Sequence, residues 1–284
     1  MRPPEEQTIL ITGATDGLGR ALAVELAGMG ATLLLHGRDD SKGQETIEDV
    51  RARTGNEKLQ WYRANLASLE EVRELAERVD AEHDRLDVLV NNAGIGTNLP
   101  GDGRRMESRD GYELRFAVNY LASFLLTRQL RPLLVRSAPA RIVNVSSAGQ
   151  APLDFDDVML ERAYDGVQAY CQSKLAQVMF TFDLAGELSE TGVTVNCLHP
   201  ATFMPTKMVR AGGVSPTSTI DEGVQAVLRL VAAPELDGVT GRYFNGQREA
   251  TAHPQGYDAE AVGRLRELSE RLVDPSGKAG PVSS

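Results

Sequence analysis

A doubly wound α/β fold, a parallel sheet between two helical layers (three-layer αβα) in a single domain, is predicted by three observations. Short β-branched or leucine-rich runs alternate with longer amphipathic ones. The short runs are apolar throughout instead of at every second residue, which suits strands of a parallel sheet covered on both faces. The first run ends in a glycine-rich turn ahead of a helical pattern. Strand and helix in alternation imply right-handed βαβ crossovers, and no internal repeat or dividing linker interrupts residues 1–284.

The elements follow in order. TILIT (8–12) reads as the first strand and LGRALAVELAGMG (18–30) as the first helix. ATLLLHG (31–37) and LQWYRA (59–64) are strands two and three. SLEEVRELAERVDAEHDRL (68–86) is a helix with Ser68 as N-cap and Glu71 three residues on, a capping box. LDVLVN (86–91) is the fourth strand. YELRFAVNYLASFLLTRQLRPLLV (112–135) is apolar nearly all round and reads as a buried helix. RIVNVS (141–146) and VTVNCLH (193–199) are the last two strands, with a helix around YCQSK (170–174) between them. Two polar, glycine-rich stretches, 96–111 and 200–219, follow strand ends. Ligands of open α/β sheets bind there, so both stretches are candidate walls or lids. Residues 1–7 and 274–284 read as flexible tails.

Composition excludes several classes. An apolar fraction of 42% with 25% charged residues is that of a soluble globular protein. A net charge of −10 argues against nucleic-acid and anionic-membrane partners, which want basic patches, yet leaves a nucleotide open. Cys171 and Cys197 are too few for a disulfide framework or a zinc site, so no metal is expected and both read as buried thiols in a reducing compartment. MRPPEEQ has no signal-peptide pattern, and no apolar run approaches the roughly 20 residues that span a bilayer. A cytoplasmic location is expected.

Two motifs carry chemistry on their own. Thr12-Gly13-Ala14-Thr15-Asp16-Gly17-Leu18-Gly19 joins the first strand to its helix. Glycines there permit a tight turn, close backbone approach to a pyrophosphate, and phosphate binding at the helix N-terminus. Its spacing is G-x3-G-x-G and not G-x-G-x-x-G. Tyr170 and Lys174 lie one helical turn apart on one face. An ammonium beside a phenol lowers the phenol pKa, as a proton donor near neutral pH requires.

The glycine turn, NNAG (91–94), NVSS (144–147) and YCQSK occur in register, and over residues 8–245 the chain resembles the short-chain dehydrogenase/reductase family, a Rossmann-like fold. FDDVMLERAYDGVQAY (155–170), DGYELRFAVNYLASFLLT (110–127) and SKLAQVMF (173–180) are similar to its retinol-dehydrogenase-like branch. The resemblance implies a catalytic set of Asn119, Ser147, Tyr170 and Lys174. Ser147 would bond the substrate oxygen as charge develops, while Ser146 is a strand-end structural hydroxyl. Tyr170 would give or take the proton, and Lys174 would hold the nicotinamide ribose and depress the tyrosine pKa. Asn119 matches the asparagine that kinks a long helix and holds a relay water. Cys171 and Gln172 read as packing and surface, with Ser173 toward the cofactor.

For the cofactor, the resemblance implies contacts from Gly13, Thr15, Asp16, Gly17, Leu18, Gly19, Asn92, Ala93, Gly94, Tyr170, Lys174, Pro200 and Thr206. Members of the family that prefer NAD carry an acid at the end of the second strand, to bond a ribose 2′-hydroxyl. Here Gly37 and then Arg38 stand in its place, and arginine makes bidentate bonds to phosphate, so NADP(H) is favoured. Asp39 and Asp40 either weaken that site or begin the next helix; His36 contacts the phosphate or is structural. Asn65-Leu66 replaces the family's Asp-Leu at the adenine, and Pro200-Ala201 replaces its Pro-Gly. Phe203, Met204, Met208 and Val209 form an apolar substrate wall or pack within their loop.

The leading expectation is an NADP(H)-dependent oxidoreductase moving a hydride between nicotinamide C4 and a carbonyl or secondary alcohol. Its partner is a small, fairly apolar substrate, and a homodimer or homotetramer is possible. The alternatives are a non-catalytic NADP-binding regulator of the same fold and a sugar-nucleotide epimerase. Retention of both Tyr170 and Lys174 speaks against the first, and the absence of a large C-terminal substrate domain against the second.

Overall fold

In the computed structural model of the chain, residues 1–97, 104–211 and 213–274 are described. The part of the first expected lid at 98–103, and 275–284 of the expected tail, lie outside them.

The strands are β1 (Thr8–Ile11), β2 (Thr32–Gly37), β3 (Leu59–Arg63), β4 (Val88–Asn91), β5 (Ala140–Val145), β6 (Val193–His199), β7 (Arg242–Asn245) and β8 (Arg248–Ala250). They form one sheet in the order β3-β2-β1-β4-β5-β6-β7-β8. All pairs are parallel except β7 with β8. The order reverses direction between β1 and β4, which makes the carboxyl ends of those two strands the binding crevice of a doubly wound sheet.

Two apolar cores flank the sheet. On one face β1, β2 and β4 residues Ile9, Leu33, Leu35 and Val90 pack with Leu22 and Leu26 of α1 (Gly17–Gly28), Val50 of α2 (Asp40–Thr54) and Val227 of α7 (Ile220–Ala232). On the other, Leu10, Leu89 and Val195 pack with α3 (Leu69–Glu82), α4 (Ala122–Arg136), α5 (Gly166–Glu187) and α8 (Ala259–Val273). Alternate strand residues therefore enter opposite cores, which is why the runs look apolar at every position. A short α6 (Lys207–Ala211) lies in the loop after β6.

The expected architecture holds, with four differences. β7 and β8 add an edge hairpin that short, polar runs did not announce. The buried helix begins as a π-helical segment, Phe116–Leu121, before α4. Glu71 does not close a capping box: Ser68 Oγ accepts from the Glu71 N–H, but the Glu71 carboxylate takes the Asn65 N–H at 2.8 Å. Residues 1–7 are tied down, since Pro4–Glu6 is a 3₁₀ turn, Gln7 is buried and the amino terminus pairs with Asp237 at 3.1 Å. Among the described residues no helix is long and apolar enough to cross a membrane.

Candidate active site

The glycine turn is held from both sides of the crevice. Thr12 Oγ1 accepts the N–H groups of Asn92 at 2.9 Å and Ala93 at 3.0 Å, and Asn92 Nδ2 donates to the carbonyls of Thr12 at 2.8 Å and Gly13 at 3.2 Å. Gly13 has φ +68°, and a Cβ there would stand 2.9 Å from Ala93 Cα. At Gly19 it would stand 2.3 Å from the Gly13 carbonyl oxygen. Only glycine permits this approach. Asp16 caps α1 through the Gly17 N–H, and the first-turn N–H groups of a helix have no intrahelical acceptor, so an anion suits this end. Backbone this close and helix dipole this exposed fit the pyrophosphate of a dinucleotide.

His36 has the structural role. Its Nδ1 accepts from the Gly13 N–H at 3.3 Å, which assigns the ring proton to Nε2, 3.1 Å from the Ala64 carbonyl. Desolvation holds its pKa at about 4, so the ring is neutral and braces the turn against β3.

At the end of β2, Gly37 is buried and Arg38 is exposed, with no ion pair among the described residues. Both following acids begin α2: Asp39 is its N-cap, and Asp40, its first residue, accepts from Trp61 Nε1 of β3 at 2.8 Å. Asn65 Oδ1 closes a local turn onto the Ala67 N–H at 3.1 Å, with Leu66 packed in the core. One lone pair of that oxygen is left for an adenine amine. In the loop after β6, Pro200 is buried, and Thr206 Cγ2 lies 3.0 Å from where a Gly17 side chain would begin. Lys207 reaches Asp16 at 2.9 Å. Met204 is half-buried and packs against the core beside Leu18 and Gly223, whereas Phe203 and Met208 are exposed.

Ser147 follows β5, and Tyr170 and Lys174 occupy the first turns of α5. Ser147 Oγ and the Tyr170 ring meet at Gly149, where a Cβ would stand 3.5 Å from Oγ and 3.8 Å from Tyr170 Cε1, and Lys174 Nζ lies 5.9 Å from the Tyr170 ring centroid. Tyr170 is half-buried. Desolvation raises its pKa, and the nearby Ser147 hydroxyl opposes that more weakly. The expected depression by Lys174 is therefore not met in this structure. Lys174 is buried, its own pKa is lowered to about 7 by desolvation, and Nζ donates to the Val145 carbonyl at 2.9 Å and Gln177 Oε1 at 2.8 Å. A Cβ on Gly94 would stand 3.5 Å from Nζ and 3.3 Å from Asn119 Oδ1, so that glycine lies beside both. Asn119, in the π-helical segment, accepts from the Ile95 N–H at 2.8 Å and donates to the Ile95 carbonyl at 3.1 Å and Ser173 Oγ at 2.9 Å. Its side chain thus locks the loop after β4 to α5.

Other expectations in the same stretch change. Ser173 is buried and its hydroxyl accepts from Asn119, and Gln172, expected at the surface, is fully buried, donating to the Val158 carbonyl at 2.7 Å. Ser146 is structural as expected, bonding the Lys174 carbonyl at 2.8 Å. Sequence reasoning missed the supports. Tyr243 of β7 donates to the Ser147 carbonyl at 3.1 Å, and Gln150 Nε2 to the same oxygen at 2.9 Å. Gln177, one turn beyond Lys174, was legible only as an amide inside an apolar helix, the signal that singled out Asn119.

A parallel sheet with a glycine turn at its switch point, and a serine, tyrosine and lysine gathered beside it, define a dinucleotide-binding protein of the doubly wound class. The family model for short chain dehydrogenases matches residues 7–213. Mouse (Mus musculus) retinol dehydrogenase 13 is 38% identical over 94% of this chain and 84% of its own length. An uncharacterized protein from Mycobacterium paratuberculosis superposes with a TM-score of 0.77 at 28% identity, covering 95% of this chain and 94% of that one. A short chain dehydrogenase from Shigella flexneri solved in complex with NADP gives 0.66 at 29% identity, covering 86% and 98%. The chain belongs to the short-chain dehydrogenase/reductase family, in its retinol-dehydrogenase-like branch. It is an NAD(P)-dependent oxidoreductase acting on alcohol or carbonyl groups.

Proposed function

We propose that the protein is an NADP(H)-dependent oxidoreductase that interconverts a small, fairly apolar carbonyl compound and its alcohol, with Tyr170 as the acid/base. The observation that supports this most is the meeting of three groups after β4 and β5: Ser147 Oγ and the Tyr170 ring at Gly149, and the buried Lys174 Nζ beside Gly94, 5.9 Å from that ring.

The bound cofactor supplies or accepts the hydride at C4. In reduction Tyr170 Oη gives its proton to the substrate oxygen, and Ser147 Oγ bonds that oxygen as it gains charge. In oxidation the proton travels back. Lys174 has three ammonium hydrogens, of which two are spoken for by Val145 and Gln177, leaving one for a ribose hydroxyl. Positive charge on that side favours the phenolate against the desolvation that raises it. Asn119 serves by holding α5 in register with the β4 loop.

Arg38 favours the phosphorylated cofactor, being exposed, without an ion pair among the described residues, and next to a strand whose last residue is Gly37 and not an acid. Phe203 and Met208 support an apolar substrate. Free Cys171 and Cys197 support a cytoplasmic location as part of the same reading.

Tyr170→Phe is expected to lower kcat by at least about a thousandfold while NADPH binding, followed by calorimetry, stays within about twofold. A Phe variant turning over a good ketone at the parent rate overturns the assignment. Arg38→Ala is expected to raise the NADPH Kd about tenfold or more, with little change for NADH. Equal losses for the two cofactors refute the phosphate contact.

A further inference from the structure

Gly37 and Gly43 are both covered by one side chain. Trp61 projects from β3 toward the carboxyl end of β2, where it pairs in register with Leu35. A Cβ on Gly37 would stand 2.5 Å from Trp61 Cη2 and 2.9 Å from Thr15 Cγ2. A Cβ on Gly43, in the first turn of α2, would stand 2.2 Å from Trp61 Cε2 and 2.5 Å from Cδ2. The indole is thus wedged between the end of the sheet and the start of α2. Its Nε1 donates to Asp40 Oδ1 at 2.8 Å, with Arg63 3.9 Å from the same carboxylate. Asp39 is already used as the cap of α2.

These contacts act together on the place where a ribose-binding acid would stand. The ring fills the space any side chain at 37 needs, its near edge 2.5 Å from a Cβ that is only the first atom of such a side chain. The ring nitrogen also ties back a nearby carboxylate. Arg38 directly follows Gly37 and is exposed, as is Asp40, whose Oδ1 is held by the indole. We propose that Trp61 is a specificity-determining residue for the cofactor: it excludes an acidic side chain at position 37 and ties one oxygen of Asp40, so that the adenosine 2′ position meets Arg38 with no carboxylate from the last residue of the strand. This deepens the NADP(H) reading and rests on it.

The test is a double-mutant cycle of Gly37→Asp and Trp61→Leu. It is read by NADPH and NADH dissociation constants from calorimetry and by the thermal midpoint of the cofactor-free chain. With Trp61 present, Gly37→Asp is expected to lower the midpoint by about 5 °C, the cost of overpacking, and to bring no gain in NADH affinity. With Leu at 61, the same aspartate is accommodated and NADH binds about tenfold tighter than to the single variant. If Gly37→Asp alone tightens NADH as much as the double variant, Trp61 has no such role. Should the aspartate variants not fold, Gly37→Ala with and without Trp61→Leu gives the same answer. A midpoint loss relieved by Leu supports the wedge, and strictly additive losses overturn it. A parent protein binding NADH as tightly as NADPH defeats the cofactor reading on its own, whereas the steric coupling is still read from the midpoints.

Discussion

His36 refuses a proton that the unfolded chain would take. Its pKa is lowered from 6.5 to about 4 by burial, with the Ala64 bond opposing that. Above pH 6.5 the ring is neutral in both states and the group contributes nothing to pH dependence. As pH falls from 6.5 to about 4 the unfolded state alone becomes protonated, and stability is lost by on the order of 3 kcal/mol. His36→Gln removes that titration. Urea unfolding at pH 7 and pH 5 is expected to show a fall for the parent that exceeds the variant's by about 2 kcal/mol; equal falls refute the assignment. Lys174 shows the same force on a different group: nothing but burial lowers its pKa to about 7. Its nearest polar partners, a carbonyl and the Gln177 amide, carry no negative charge to hold the ammonium. The phenol and ammonium are each pushed by burial toward their neutral forms, and a charged ligand in the crevice would bear on both.

At the scale of elements, α8 has the clearest separable role. Ala261, Leu265, Ser269 and Val273 are buried at a spacing of four, one stripe of an amphipathic helix. That stripe covers the apolar surface of the π-helical segment, α4 and α5. Polar ties flank it: Tyr120 Oη to Ser269 Oγ at 2.7 Å, Arg266 to Asp183 at 2.8 Å and Arg128 to Glu270 at 2.9 Å. A chain ended at Asp258 exposes Phe180 and Tyr120, on the outer side of the helix that carries Tyr170 and the segment that carries Asn119. It is expected to lose on the order of 5 kcal/mol, seen as a large drop in the urea midpoint; a truncated chain unfolding at the parent midpoint contradicts this. The edge hairpin is also more than a rim. β7 carries Tyr243 to the Ser147 carbonyl, so a strand far along the chain helps to aim the hydroxyl after β5. The π-helical segment widens the helix at Asn119, whose amide turns to the β4 loop and to Ser173 and satisfies groups on two elements.

For the whole molecule, the doubly wound class was legible because both faces of β1, β2, β4, β5 and β6 are buried, and continuous apolar runs are the direct imprint of that. β7 and β8 left no such imprint: RYFN and REA are short, and Arg242 and Glu249 point to solvent from an edge. The glycine turn and the Tyr170/Lys174 pair were legible because each is local. One needs a backbone without side chains between a strand and a helix, the other a spacing of one helical turn. Gln172 was misread because helix α5 is enclosed nearly all round, by the 148–165 stretch as well as by the π-helical segment, and no period marks an outer face there. Local order thus determined the fold class, the phosphate turn and the face shared by phenol and ammonium. The tertiary structure decided which distant residues brace them: His36 against Gly13, Trp61 against Gly37, Tyr243 against Ser147, Asn119 against Ile95 and Ser173. The reason is that backbone pattern is set by neighbours in the chain. A buried polar group or a bulky ring is set by whatever the packed sheet and helices bring within hydrogen-bond or van der Waals distance, and those partners lie dozens of residues away.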